Sequence, residues 1–198
     1  VATDDASGAD RTMLVLAEGD WISVYDEGCE GQNQDALDAL AAALSKKTGG
    51  PAVTILVHDS DVLELRLFRD GERIDRFNSA PAYFGEVSAA AKKDAIGHPE
   101  RWAPVLADGA SAGDLGAAFA GEQLFAERTL ADVAALLGLE GSRAGIGFNH
   151  ADKDDARYVA LRFRLAKRPA HETPATGDPR FEMAGHSPEL DVSAGFPV

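Results

Sequence analysis

The chain has 198 residues, which is enough for one domain with a terminal segment but short for two full domains. Hydrophobic residues make up 45% and charged residues 26%, values that exclude a fully disordered chain, a fibrous repeat and a membrane protein. The formal net charge of −14 argues against nucleic acid and anionic membranes as partners. It favours either a basic protein partner or simple solubility.

The N-terminal part of the chain predicts a mobile terminus followed by a hairpin. Residues 1–10 are small and acidic without any apolar periodicity, as is typical of a mobile end. Two apolar runs then flank Glu18 and Gly19, which predicts a two-residue turn between two strands. That turn would place Leu16 opposite Trp21.

Cys29 is the only cysteine, so no internal disulfide can form. The neighbouring carboxylates of Asp26, Glu27 and Glu30 should raise the pKa of its thiol and make it a poor nucleophile. The chain shows neither a signal peptide nor an apolar run long enough to cross a membrane, so we expect a cytoplasmic protein. The start at Val1 leaves a second interpretation open, namely a processed chain or a fragment.

The first helix is predicted over residues 34–47. Apolar side chains recur there at i, i+3, i+4 and i+7, and they form one stripe of Leu37, Leu40, Ala41 and Leu44. Asn33 is expected to cap the start of this helix, and Gly49 and Pro51 are expected to end it.

Three strands are predicted next, at residues 52–57, 62–69 and 72–78. Asp70 and Gly71 form the turn between the last two, because Asp-Gly between apolar runs is a strong hairpin signal. A two-residue loop predicts the opposed pairs Arg69 with Glu72, Leu67 with Ile74, and Arg66 with Asp75. Two of these pairs join opposite charges, which supports the register.

Three short helices are predicted between residues 85 and 140. Pro99 begins the first of them, which carries Trp102. Ser111 and Thr129 are each followed three residues later by an aspartate, the spacing of a capping box, so they predict the starts of the other two helices. A final strand at residues 158–165 alternates apolar and polar side chains and is expected to be half-buried.

The C-terminal residues 169–198 contain five of the nine prolines and almost no periodicity, which predicts an extended arm. Three of its large apolar side chains, Phe181, Met183 and Phe196, are expected to dock on the domain. The predicted organisation is therefore a mobile acidic N-terminus at 1–10, a single domain at 11–168 and a proline-rich C-terminal arm at 169–198.

The fold class that these elements predict is α+β. Strands and helices occur in separate runs, which favours a mixed, mainly antiparallel sheet with helices packed mostly on one face.

One polar cluster lies between two predicted strands, so its side chains gather at one edge of the sheet. The candidate ligand-binding residues in and beside this cluster are His58, Asp59, Asp61, Asn78, Ser79 and Tyr83. Their carboxylate, imidazole, amide and hydroxyl groups suit a polar ligand or a divalent cation, or acid–base catalysis if burial shifts their pKa values. The alternative interpretation is that Asp59 and Ser60 only form a turn.

The sequence contains no phosphate-binding loop, nucleophile elbow, zinc-protease motif or zinc-binding cysteine pair. The acidic run at 149–155 also fails the EF-hand pattern, so we expect no metal ion and no cofactor. Residues 1–38 hold ten acidic side chains against one basic side chain, Arg11. We therefore expect a non-enzymatic acidic binding protein for a basic partner, by functional analogy with inhibitor and immunity proteins.

Two other functions stay open at this point. The first is a small hydrolase or metal-assisted enzyme that uses the loop from His58 to Asp61. The second is a structural module of a larger protein, which the start at Val1 and the long C-terminal arm suggest.

Overall fold

The computed structural model describes residues 8–121, 124–141 and 143–164, apart from the side chain of Glu18. The strands are β1 (Arg11–Glu18), β2 (Trp21–Asp26), β3 (Ala52–His58), β4 (Val62–Arg69), β5 (Glu72–Asn78) and β6 (Val159–Phe163). The α-helices are α1 (Gln34–Thr48), α2 (Ala89–Ala95), α3 (Ala112–Ala120) and α4 (Ala126–Leu137). Short 3-10 helices lie at Glu27–Cys29, Pro99–Val105 and Phe148–His150.

The described strands form two three-stranded sheets, and every pairing between them is antiparallel. The first sheet has the order β2-β1-β6, and the second has the order β3-β4-β5. These sheets and the helices confirm the predicted α+β class. The division into two sheets was not predicted, because the alternation of apolar and polar residues along a strand does not specify which strands pair.

The main core lies on one face of the second sheet. Side chains alternate along a strand, so Leu63, Leu65 and Leu67 of β4 point to the same side. They are almost fully buried there against α3, α4 and the 3-10 helix that carries Trp102, which is itself 0% exposed. The residues that these elements contribute include Leu115, Leu130, Val133 and Leu137.

Helix α1 covers the opposite face of the second sheet. It extends one residue beyond the predicted range, and Asn33 caps it by accepting the Ala36 N–H at 3.1 Å. Gly49 ends it at a left-handed φ of 70°. The buried Ser45 accepts the Gly71 N–H at 3.0 Å, so the helix is tied to the turn between β4 and β5.

The hairpin of β1 and β2 turns one residue later than predicted. Glu18 lies opposite Trp21, so the loop consists of Gly19 and Asp20, and the predicted pairing of Leu16 with Trp21 is wrong. Gly19 takes a φ of 60°, which costs a glycine little at the first position of a tight turn. Leu16 therefore faces Ser23.

The register between β4 and β5 shifts by one residue near the turn. Arg69 lies opposite Glu72 as predicted, but an irregularity between Leu67 and Phe68 places Leu67 opposite Asp75. One extra residue in β5 accounts for the shift, as in a β-bulge. Because a one-residue shift exchanges the two faces of a strand, Asp75 points into the core instead of lying opposite Arg66, and the predicted pair of these two residues is wrong.

The predicted capping boxes have different outcomes. The box at Ser111 is confirmed, with both reciprocal bonds to Asp114 present at the start of α3. Thr129 does not begin a helix, because α4 already starts at Ala126 and Thr129 is buried within it. The Ala126 N–H donates instead to the Ser60 carbonyl at 2.8 Å, so a distant backbone group satisfies the helix start.

The predicted domain boundaries remain predictions. The N-terminal residues 1–7 and the arm at 169–198 lie outside the described residues, as does the end of the predicted last strand. Within the described part of the chain, no helix has the length and apolar character needed to cross a membrane.

Candidate functional site

The polar cluster found in the sequence forms the tight turn between β3 and β4. The Asp61 N–H donates to the His58 carbonyl at 3.0 Å and closes the turn. Asp59 and Ser60 have positive φ values of 49° and 63°, the left-handed region that a primed turn requires. The Ser60 hydroxyl donates to Glu127 Oε1 at 2.6 Å, which ties the turn to the first turn of α4.

Three rings gather around this turn. The His58 ring contacts Tyr83 and Phe84 edge to face, with centroids 5.9 Å and 4.9 Å away, and the last two rings are 5.0 Å apart. Both His58 ring nitrogens have neighbours: Nδ1 lies 2.7 Å from Gln32 Oε1, and Nε2 lies 3.4 Å from Asp59 Oδ2. The structure thus brings together His58, Asp59 and Tyr83, as the sequence predicted.

Asp61 completes the polar part of the cluster. Its Oδ2 accepts the Tyr83 hydroxyl at 2.9 Å. This hydrogen bond, more than any other influence, raises the pKa of Tyr83, so the phenol stays a neutral donor beside a charged carboxylate. Among the described residues no group of three or more metal-ligating side chains is arranged to hold a metal ion.

The polar groups of Asn78 and Ser79 are used within the sheet. Ser79 makes two hydrogen bonds of 2.9 Å with the Leu63 backbone. Its N–H donates to the Leu63 carbonyl, and its hydroxyl oxygen accepts the Leu63 N–H. The Asn78 side chain donates to Glu64 at 3.2 Å and accepts the Ala80 N–H at 2.8 Å. These contacts extend the pairing of β4 with β5.

Exposed aromatic side chains flank the same turn. Phe84 is 76% exposed, Tyr83 is 45% exposed and Phe125 is 49% exposed. Phe125 precedes Ala126, whose N–H donates to the Ser60 carbonyl of the turn. We call Tyr83, Phe84 and Phe125 the aromatic patch. Sequence reasoning missed both phenylalanines. The adjacent aromatics Tyr83 and Phe84, between Pro81 and Gly85, are a signal for that loop, but no comparable signal marks Phe125, and neither pattern decides exposure.

The carboxylates at the turn give this patch a negative rim. Asp59 is 75% exposed in its side chain, and Asp61 and Glu127 are also at the surface. All three hold their positions through the contacts already described. The arrangement therefore combines apolar ring surface with negative charge, and both are accessible to a macromolecule.

A second polar cluster centres on Asp75, whose side chain is 1% exposed. It accepts the His98 backbone N–H at 2.8 Å, approaches His98 Nδ1 at 2.9 Å and accepts Trp102 Nε1–H at 2.6 Å. A carboxylate that orients an imidazole is also found in catalytic triads. A triad needs a nucleophile, and no Ser, Thr or Cys side chain among the described residues bonds to His98. The contacts join β5 to the 3-10 helix.

Cys29 lies beside the buried Asp26, which forms an ion pair with Arg11 and accepts the Gly28 N–H at 2.8 Å. Burial, followed by the charge of Asp26, raises the pKa of the Cys29 thiol to about 11. The raised pKa agrees with the sequence prediction, but burial contributes more than the neighbouring carboxylate.

We expect the folded protein to react slowly with iodoacetamide at pH 8. The pKa of Cys29 rises from 9.0 to about 11, so the reactive thiolate fraction falls about a hundredfold. The alkylation rate, followed by mass spectrometry, should be lower than that of the urea-unfolded chain by about this factor. Equal rates would contradict the prediction.

The same shift implies a pH dependence of stability. A thiol whose pKa is raised on folding contributes stability that is present below pH 9 and is lost as the pH rises toward about 11.

Comparisons of the chain with protein-family models, with curated proteins and with solved structures found no match. Functional interpretation therefore depends on the geometry and charge of the residues described above.

Proposed function

We propose that this protein is a non-enzymatic binding protein for a basic protein partner, and that the aromatic patch is the centre of the contact. The observation that carries the proposal is the exposure of Phe84 and Tyr83 beside the carboxylates of Asp59 and Asp61.

Exposed rings of this kind are typical of binding surfaces. Aromatic residues are enriched at protein interfaces and among the few residues that dominate binding energy. Phe84 packs against His58 on one side and leaves most of its ring surface to solvent. Covering that surface with a partner is favourable because apolar area is removed from water.

The charge of the site indicates the chemistry of the partner. Cationic side chains are attracted to the faces of aromatic rings and to carboxylates, and the aromatic patch lies beside the carboxylates of the turn between β3 and β4. Arginine suits it best, because a planar guanidinium stacks on a ring and hydrogen-bonds to a carboxylate. The net charge of −14 would also accelerate the approach of a basic protein at low salt.

The test begins with the full chain immobilised in a lysate of its source cells at low salt. We expect a basic protein that is released when the salt concentration is raised, since salt screens exposed charges. The binding of that purified protein is then measured with variants of the chain. Phe84→Ala should weaken the affinity about tenfold or more, as expected for a central aromatic contact.

Two further variants make the test specific. Ile96→Ala removes an apolar side chain that is 61% exposed elsewhere, and it should leave the affinity unchanged. Asp61→Asn keeps the hydrogen bond to Tyr83 but removes a negative charge, so it should slow association and weaken the salt dependence. An affinity that is indifferent to Phe84→Ala, or binding that is indifferent to salt, would contradict the proposal.

A further inference from the structure

One face of the first sheet, the outer face, exposes apolar side chains at the end near the turn between β1 and β2. Residues directly opposite each other in paired strands share a face, and Val15 lies opposite both Val24 and Val159. Ala17 lies opposite Ile22 on the same face, so the exposed apolar part extends over all three strands at this end of the sheet. At the other end of the face Met13 is buried and lies opposite Asp26, which pairs with Arg11. Ile22 and Val159 are 63% and 60% exposed.

The other face of this sheet is covered. Leu14 and Tyr25 point to that side and pack with Phe148 and Ala151 in a second core cluster. No described element shields Ile22 and Val159 in a comparable way. Valine and isoleucine in strands are usually buried, and contiguous exposed apolar side chains are typical of an interaction surface.

We propose that the chain's own residues 165–198 occupy this face. They follow directly after β6, which is an edge strand of the same sheet. They also contain the large apolar side chains of Phe181, Met183 and Phe196. The occupant and the surface are thus covalently adjacent, which makes their effective concentration high.

The length of the segment is sufficient. The chain leaves β6 at the end where Phe163 lies opposite Arg11, so it must run back along the strands to reach Ala17 and Ile22. This distance is about 20 Å, at about 3.4 Å for each strand residue. About six or seven extended residues span it, and the segment from 165 to 198 has 34.

The prolines favour the face of the sheet over its edge. In the described part of the chain, β2 and β6 pair only with β1, so each has an unpaired edge. Proline has no N–H to donate to a neighbouring strand, and the segment from 165 to 198 contains five prolines. An extended proline-rich segment that lies across the side chains needs no such bonds.

The occupant can be identified by photo-cross-linking in the full chain. Phe181 and Phe196 are replaced separately by p-benzoylphenylalanine, which retains an aromatic ring. After irradiation the monomer fraction is digested, and cross-linked peptides are identified by mass spectrometry. We expect cross-links to β2 or β6 within one chain.

A pair of matched variants tests the surface itself. Ile22→Ser combined with Val159→Ser should lower the cross-linking yield severalfold, because it removes the most exposed apolar side chains of the face. Leu124→Ser changes a side chain that is 80% exposed in the segment before α4 and should leave the yield unchanged. Cross-links that map outside the first sheet, that form only between two chains or that do not form at all would overturn the proposal.

Discussion

Asp75→Ala is expected to lower the free energy of unfolding by about 3–5 kcal/mol, the largest effect of any single substitution proposed for this protein. The carboxylate is 1% exposed, and it accepts bonds from the His98 N–H and the Trp102 indole. Removing it leaves buried donors without an acceptor, which costs more than the lost bonds alone.

Thermal and urea unfolding measure this effect. For a domain of this size the melting temperature should fall by roughly 6–20 °C. Asp94→Ala is the matched control, because Asp94 is 51% exposed in its side chain and contacts Arg73 and Arg76 at the surface. It should cost less than about 1 kcal/mol. Equal losses for the two variants would mean that the Asp75 contacts contribute little.

Arg66→Ala is expected to cost about 3 kcal/mol. Arg66 is largely buried between the second sheet and α1, where it pairs with Glu64 and with Asp38 of the helix. It also lies directly opposite Arg76. Glu64 Oε1 contacts both guanidinium groups, so it neutralises two like charges that face each other across the strands.

The control for Arg66 removes the same type of side chain from an exposed position. Arg73 is 37% exposed and contacts Asp94 at 3.4 Å, so Arg73→Ala should cost less than about 1 kcal/mol. Both free energies come from urea unfolding at neutral pH. A loss for Arg66→Ala no greater than that for Arg73→Ala would show that the buried network is energetically dispensable.

Local signals predicted the elements whose boundaries depend on local contacts. Helix α1 has its cap, its acidic first turn and its terminal glycine within the segment itself, and the prediction was accurate to one residue. The box at Ser111 is equally local. Thr129 failed because the backbone of Ser60, far away in the sequence, satisfies the start of α4.

The register of β5 failed for a similar reason. A bulge-free hairpin would pair Arg66 with Asp75 and is reasonable when only the two strands are considered. The observed register instead delivers Asp75 to His98 and Trp102, which lie more than 20 residues later in the chain. Partners at that separation cannot be read from alternation within a strand.

The candidate site was predicted in part. His58 and Asp61 could be placed in one turn because they are close in the sequence. Tyr83 could be placed beside them from an approximate pairing of β4 with β5. The exposure of Phe84 and Phe125 was not predictable, because a phenylalanine in a loop is equally compatible with burial. Only the packing of neighbouring elements decides between the two.

The bulge in β5 also has a consequence for the order of folding. Hairpins form in microseconds, well before contacts between distant segments of a domain. The contacts that hold Asp75 in the observed register come from His98 and Trp102, which lie outside the hairpin. We therefore expect the final alignment of β5 to become stable only when the 3-10 helix that carries Trp102 packs against the sheet.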